Sequence, residues 1–248
     1  MYDMDTRKRA LALVGQGRSL NSVSKQTGIS RAAIRSWQDR IEPLPRMTTP
    51  DPGPPADEAA YAYLLGLYLG DGCISPHMRG TGYYLRVACA DAWPGLLQLC
   101  REAIAKVRPG IGVYVLQKQG CAMVTSYSPH WPSLFPQHGP GRKHERTIAL
   151  EPWQQEMVDT HPWEFVRGLI HSDGCRITNW TTRVVAGEKK RYEYPRYFFT
   201  NLSADITRLY TDTLDKVGVD WKQSNSFNVS VARRASVALM DTHVGPKY

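Results

Sequence analysis

The chain has 248 residues, 42 % of them apolar, enough to bury a core in one large domain or in a small and a medium one. Lys and Arg number 31 against 23 Asp and Glu, and the net charge of +8 favours polyanions, nucleic acid ahead of acidic membranes. The longest greasy run, YAYLLGLYLG at 61–70, is too short to span a bilayer, which argues against a membrane protein.

Two further readings bear on location. The start, MYDMDTRKRA, lacks the apolar core of a secretory leader. Five cysteines form no Cys-x-x-Cys pair, which speaks against a disulfide framework or a zinc ribbon and for small reduced residues, most of them buried. The expectation is a cytoplasmic protein of bacterial or phage type.

Residues 1–40 read as three short helices. TRKRALALVGQG carries Leu11 and Val14 on one face and stops at Gly15 and Gly17. SLNSVSKQTG opens on a cap-competent Ser19, buries Leu20 and Val23 and ends at Gly28. In SRAAIRSWQDR, Ser30 caps and Ile34 and Trp37 share a face, leaving Arg31 and Arg35 outward. Two helices joined by a glycine turn, the second with outward arginines, form a helix-turn-helix. The stretch SVSKQTGISRAAIRSW resembles that of transposases and small repressors, which implies a DNA-binding domain; a plain three-helix module is the alternative.

Residues 41–58 hold six prolines and little apolar surface, as in a semi-rigid linker. At roughly 3.1 Å per residue such a segment reaches about 50 Å.

The body that follows is a duplication. GDGCI (70–74) matches SDGCRI (172–177), and CADAWPGLLQLCREAIAKV (89–107) matches SADITRLYTDTLDKV (203–217). GVYVLQKQ (112–119) answers GVDWKQSN (218–225), and HGPGRK (138–143) answers HVGPK (243–247). The Asp positions 71 and 173 lie 102 residues apart, and Lys143 and Lys247 lie 104 apart. The repeats span 59–150 and 151–248, each reading helix, strand pair, helix, strand pair, short helix, with aromatic and β-branched strands. The second repeat carries a longer first hairpin whose tip, GEKKRY, is strongly basic.

Each repeat opens on a greasy helix that ends in Asp-Gly. Gly66 and Gly70 lie four apart on one face of the first, Gly168 and Ser172 on one face of the second, a spacing that lets two backbones approach. Asp71 and Asp173 then meet at helix ends where the macrodipole is already negative. Like charges brought together raise a pKa unless something compensates. Divalent cations shared with a phosphate would do so, and two-metal phosphodiester cleavage needs such an arrangement.

LLGLYLGDG (64–72) and VRGLIHSDG (166–174) resemble the paired motifs of a single-chain LAGLIDADG homing endonuclease, a likeness that covers about 190 residues. The resemblance implies an α+β fold of two pseudo-symmetric αββαββα halves with saddle-shaped antiparallel sheets, behind a small all-α domain. It implies a site-specific, metal-dependent endonuclease making a staggered double-strand cut in a long DNA duplex, with Mg²⁺ or Mn²⁺ as cofactor. By position, Asp71 and Asp173 become the metal ligands, with the carbonyls of Gly70 and Ser172 as helpers. The family also uses a basic residue near the metals, and Lys143, with Lys247 its repeat partner, is similar by place; an ordinary phosphate contact is the equal alternative.

Two residues depart from the motif. Arg167 replaces a small residue and His171 stands where an acidic one often occurs; both are read as facing away from the helix pair. His171 as a general base is a remote alternative. The start on Met and the end on GPKY give no sign of an intein.

The DNA-facing candidates on the strands are Arg79, Arg86, Gln117, Gln119, Arg176, Thr178, Arg183, Arg196, Gln223 and Arg233, long polar side chains suited to base edges. The implied partner is double-stranded DNA, with no obligate protein partner and a monomeric state. The rival is a DNA-binding regulator on the same fold without cleavage; a maturase-like role on RNA is a third reading.

Overall fold

The computed structural model describes residues 2–43, 50–78 and 80–248 and divides the chain into two units, Met1–Pro50 and Asp51–Tyr248. In the first unit α1 (Met4–Gly15), α2 (Leu20–Thr27) and α3 (Arg31–Asp39) are set by their caps. Asp3, Ser19 and Ser30 each accept from an amide three residues on, which satisfies one orphan donor per helix. Gly28, at φ 71°, stops α2 in the left-handed conformation and leaves only Ile29 and Ser30 before α3. Ala10, Val23, Ile29, Ile34 and Trp37 form the core, so Arg31 and Arg35 remain exposed on α3.

The linker expected over 41–58 differs. Residues 44–49 lie outside the described residues, and from Asp51 the segment belongs to the body. Arg108 is buried and donates to the carbonyls of Gly53 and Pro54 at 2.5 and 2.6 Å, while the Ala56 amide donates to the Val107 carbonyl at 3.2 Å. Prolines take away amide donors but not carbonyls, and a buried guanidinium needs acceptors.

The body repeats αββαββα twice. The first half is α4 (Glu58–Asp71), β1 (Gly72–Pro76), β2 (Tyr83–Ala90), α5 (Pro94–Val107), β3 (Val113–Lys118), β4 (Cys121–Ser128) and α6 (Trp131–Leu134). A 3₁₀ turn at Lys143–Glu145 and α7 (Pro152–Thr160) connect it to the second half. That half is α8 (Pro162–Asp173), β5 (Gly174–Val185), β6 (Glu188–Thr200), α9 (Ala204–Lys216), β7 (Lys222–Asn225), β8 (Asn228–Val231) and α10 (Arg234–His243). Both sheets are antiparallel, in the orders β1-β2-β4-β3 and β5-β6-β8-β7, so the duplicated α+β architecture holds strand for strand.

Each sheet buries one face. Leu85, Val87 and Val124 in the first, and Tyr197, Phe199 and Val229 in the second, pack under the helices, and alternate residues turn outward. α4 is apolar all round, with Tyr61–Leu69 buried, as befits a helix enclosed on every side. Among the described residues no helix is long and apolar enough to cross a membrane.

The long hairpin turns at Ala186 (φ 52°) and Gly187 (φ 84°), a pair of left-handed residues that suits a two-residue turn. The basic run after Gly187 therefore climbs the returning strand instead of forming the tip. β8 pairs only with 197–200, so β5 and β6 continue beyond the sheet as a two-stranded ribbon. All five cysteines are free, and only Cys89 and Cys100 are buried.

Candidate active site

The site begins with how near α4 and α8 come. A Cβ on Gly66 would lie 2.6 Å from the Phe165 carbonyl oxygen and 2.8 Å from the Gly168 Cα. One on Gly168 would lie 3.0 Å from the Gly66 Cα and strike the Tyr63 carbonyl. Only glycine fits either place. One turn on, a Cβ at Gly70 would collide with the Ser172 side chain and sit 2.9 Å from Asp173 Oδ2. Ser172 is buried and donates its hydroxyl to the Leu169 and Gly168 carbonyls of its own helix at 3.0 and 3.1 Å and to the Gly66 carbonyl across the contact at 3.4 Å. The four interface residues expected from spacing thus lie along the contact itself.

The glycine of each Asp-Gly has its own reason. A Cβ on Gly72 would lie 2.5 Å from the Tyr68 Cα, and one on Gly174 2.8 Å from the Ile170 Cα. The chain folds back over the last helical turn to start the strand, and only hydrogen fits under it. Asp71 and Asp173 are thereby the final residues of α4 and α8.

The lysines act as helix C-caps. Lys143 Nζ donates to the Leu69 and Gly70 carbonyls at 3.0 and 2.9 Å and also to Tyr68, whose ring it overlies at 5.0 Å. Lys247 Nζ donates to the Ser172 carbonyl at 2.9 Å. Each ammonium thus meets the negative end of its helix dipole beside the carboxylate.

Burial decides the titration of the cluster. Desolvation raises Asp71 above the usual carboxylate range against the pull of both lysines. It also lifts Asp173 to about 6, the Asp71 charge adding to the rise and a 2.6 Å hydrogen bond from Asn201 Nδ2 opposing it. Lys143 falls to about 8 through desolvation, although both aspartates hold it up. Lys247 is lowered for the same reason.

Two carboxylates and the carbonyls of Gly70 and Ser172 make an all-oxygen donor set, which suits Mg²⁺ or Mn²⁺ and not a soft metal. Among the described residues no group of three His, Cys, Asp or Glu forms a closed cage. A cleft of about 440 Å³ opens beside Asp173, Lys143 and Asn201, with Arg142, His144 and Arg146 on its wall.

His171 and Arg167 do not face away from the helix pair. His171 is buried, its Nδ1 2.9 Å from the Tyr63 hydroxyl on α4, and Arg167 lies 4.9 Å over the same ring while pairing with Glu164. Desolvation, then Arg167 and Lys247, push the imidazole down to about 4, and it bridges the helices as a neutral ring.

Strand register sorts the DNA-facing candidates. Arg86 stands on the open face of its sheet, 4.6 Å over Tyr84 and bonded to Ser75. Arg196 stands on the open face of the other, 4.8 Å over Phe198. Arg183 is exposed on the ribbon and Gln119 lies in the β3–β4 turn; Arg79 is outside the described residues.

The others are displaced. Gln117 pairs opposite buried Ala122, on the helix side, and donates to Asp91 at 2.7 Å. Arg176 pairs opposite buried Tyr197 and forks onto Asp241 of α10 at 2.6 and 2.8 Å. Thr178 shares that parity, and Gln223 pairs opposite buried Val229. Arg233 stands at the α10 N-cap and pairs with Asp220 at 2.9 Å. For the four strand residues, pairing parity sets the side chain toward the helix-covered face, although each remains exposed at its rim.

Asn201 escaped the sequence reading. It follows β6, and the pairings Gly72–Val87 and Gly174–Phe199 make Cys89 its counterpart in the first repeat, so the duplication offers no signal. The buried chain Gln137–Gln154–Tyr61, with Gln154 donating to the Tyr61 hydroxyl at 2.6 Å, was equally silent.

No protein-family model matches the chain, and no curated protein matches it in sequence. Among solved structures it is similar to I-DmoI in complex with DNA and Mn, at 12 % identity and a TM-score of 0.49 over 77 % of this chain and 98 % of that one. It is similar to the LAGLIDADG meganuclease I-AabMI bound to uncleaved DNA, at 10 % identity and 0.47 over 74 % and 83 %. It is also similar to the N-terminal LAGLIDADG domain of DUF199/WhiA, at 10 % identity and 0.45 over 77 % and 83 %.

Proposed function

We propose that the chain is a single-chain LAGLIDADG homing endonuclease: a monomeric, divalent-metal-dependent enzyme that makes a staggered cut in duplex DNA inside the cell. One observation carries the reading: two carboxylates end two interlocked helices, each beside a lysine. A structural interface would gain nothing from two like charges with raised pKa values at its end.

Asp71 and Asp173 would hold Mg²⁺ or Mn²⁺ with the carbonyls of Gly70 and Ser172, and the bound ions would supply charge stabilisation and an activated water. The protein's own share is positional. The glycine contact fixes the separation of the carboxylates, and Asn201 orients one of them. Lys143 and Lys247 place a cation where a scissile phosphate gains negative charge. The open sheet faces, with Arg86, Arg183 and Arg196, take the duplex, while Arg31 and Arg35 of the helix-turn-helix give added grip. One chain supplies both motif helices and buries them against each other, so no second copy is needed.

The experiment is incubation with a randomised duplex library and Mg²⁺, followed by sequencing of the ends. A recurrent site with a fixed stagger supports the reading, and a library left intact removes it.

The second reading is a DNA-binding regulator on this fold. It is favoured by a site already satisfied from within, since lysines occupy the Gly70 and Ser172 carbonyls and Asn201 occupies Asp173. Tight binding to a selected sequence without any cut would establish it.

A further inference from the structure

α5 starts without a cap of its own. Trp93 stands at its N-cap with no side-chain hydrogen bond and Pro94 opens the helix, so the next amides need outside acceptors. The amides of Gly95 and Leu96 both donate to the main-chain carbonyl of Tyr248, at 2.8 and 3.3 Å. The Tyr248 ring lies where any Cβ on Gly95 would strike it. A segment leaving the second half is thus fastened to the first.

Its direction is set by Gly245 at φ 70°, whose amide returns with that of Val244 to the Met240 carbonyl at 3.1 and 2.8 Å. Between this helix stop and the Tyr248 clamp lies Lys247, bonded to Ser172. The first half follows the same plan. Lys143 comes after Gly141 (φ 77°), and beyond it the Ile148 amide donates to Asp205 Oδ2 in the first turn of α9 at 2.9 Å. Each lysine sits on a strap whose far end is tied to the opposite half.

We propose that Tyr248 is a positioning residue for Lys247. Its clamp on α5 holds the ammonium at the end of α8, so the second half of the site is complete only when the halves are docked. A lysine is a long, flexible side chain, and with its backbone released it would spread over many rotamers instead of standing at the Ser172 carbonyl. The consequence for cleavage rests on the endonuclease reading; the clamp does not.

The test is Gly95→Leu. Leucine is the better helix former, so α5 itself does not suffer, while its side chain drives off the Tyr248 ring and carbonyl. Lysine accessibility is read by brief acylation with acetic anhydride in EDTA and mass spectrometry of peptides, and strand cutting is read on a supercoiled plasmid carrying the selected site. Lys247 should acylate several-fold faster relative to Lys143. One strand should be cut about tenfold more slowly or worse, so nicked circles accumulate, with DNA affinity unchanged. Tyr248→Phe, which keeps ring and carbonyl, should match wild type in both. An unchanged Lys247/Lys143 ratio in Gly95→Leu overturns the clamp. A raised ratio with both strands cut at wild-type rates overturns the positioning role. A wild type that cuts nothing defeats the endonuclease reading instead, and the acylation ratio still decides the clamp.

Discussion

Gly66 and Gly168 decide how near the carboxylates come, because a methyl at either would enter the opposite backbone. Gly168→Ala gains up to ~1 kcal/mol of helix propensity but meets overpacking of about 1–3 kcal/mol or more against main-chain atoms that cannot yield. A net loss of stability is expected by urea denaturation, whereas Gly15→Ala, with no atom within 4 Å of its Cβ, should be neutral or better. An unharmed Gly168→Ala would contradict the contact. His171 and Asp173 pull stability in opposite directions with pH. The histidine falls from 6.5 to about 4 in the fold, so the unfolded chain takes up a proton the folded one refuses. Stability from this group is complete above pH 6.5 and lost towards pH 4, by up to about 3 kcal/mol. Asp173, raised to about 6, binds its proton first in the fold and adds stability as pH falls from about 6 towards 3.8. In EDTA, the stability of wild type relative to His171→Leu should therefore decline on acidification, while that relative to Asp173→Asn should rise. Flat differences would refute both shifts.

At the scale of elements, the strand registers separate side chains on the open sheet faces from those that brace the fold. Arg196 faces outward and Arg176 is committed to Asp241, whose carboxyl the guanidinium holds below its usual range. Arg196→Ala should lower the slope of log affinity against log salt by about 0.9, the loss of one phosphate contact. Arg176→Ala should leave the slope alone and cost stability instead; equal slopes for both would refute the sorting. The elements themselves were legible in sequence. Caps at Ser19 and Ser30, glycine stops and two Asp-Gly helix ends each have a local cause. The faces of the strands were not. Gln117 and Arg176 have the composition of DNA contacts, but their side depends on which residue each one pairs with, Ala122 and Tyr197, which composition cannot carry. The same limit hid Asn201, which meets Asp173 only through the folding of its own half, and Tyr248, whose contact crosses the two halves.

At the scale of the molecule, the two halves are one design built twice with unequal detail. Among the described residues Lys143 meets three carbonyls and Lys247 one, and a side-chain amide holds Asp173 but not Asp71. The small N-terminal unit carries exposed Arg31 and Arg35, the proposed added grip on DNA. Deleting residues 1–45 should shorten the footprint on one side and weaken binding without abolishing cleavage; an identical footprint would mean that this unit does not touch the DNA. The paired aspartates are proposed to cut DNA with a divalent ion. The most direct test is Asp71→Asn and Asp173→Asn, followed by thermal melting, DNA binding in EDTA and cleavage in Mg²⁺. Asparagine keeps size and an acceptor oxygen but loses the charge that binds a hard cation and repels its neighbour. Abolished double-strand cleavage is expected, with stability and metal-free affinity equal to wild type or higher. Undiminished cleavage in either variant, or a wild type that leaves its tightly bound site intact, would contradict the proposal.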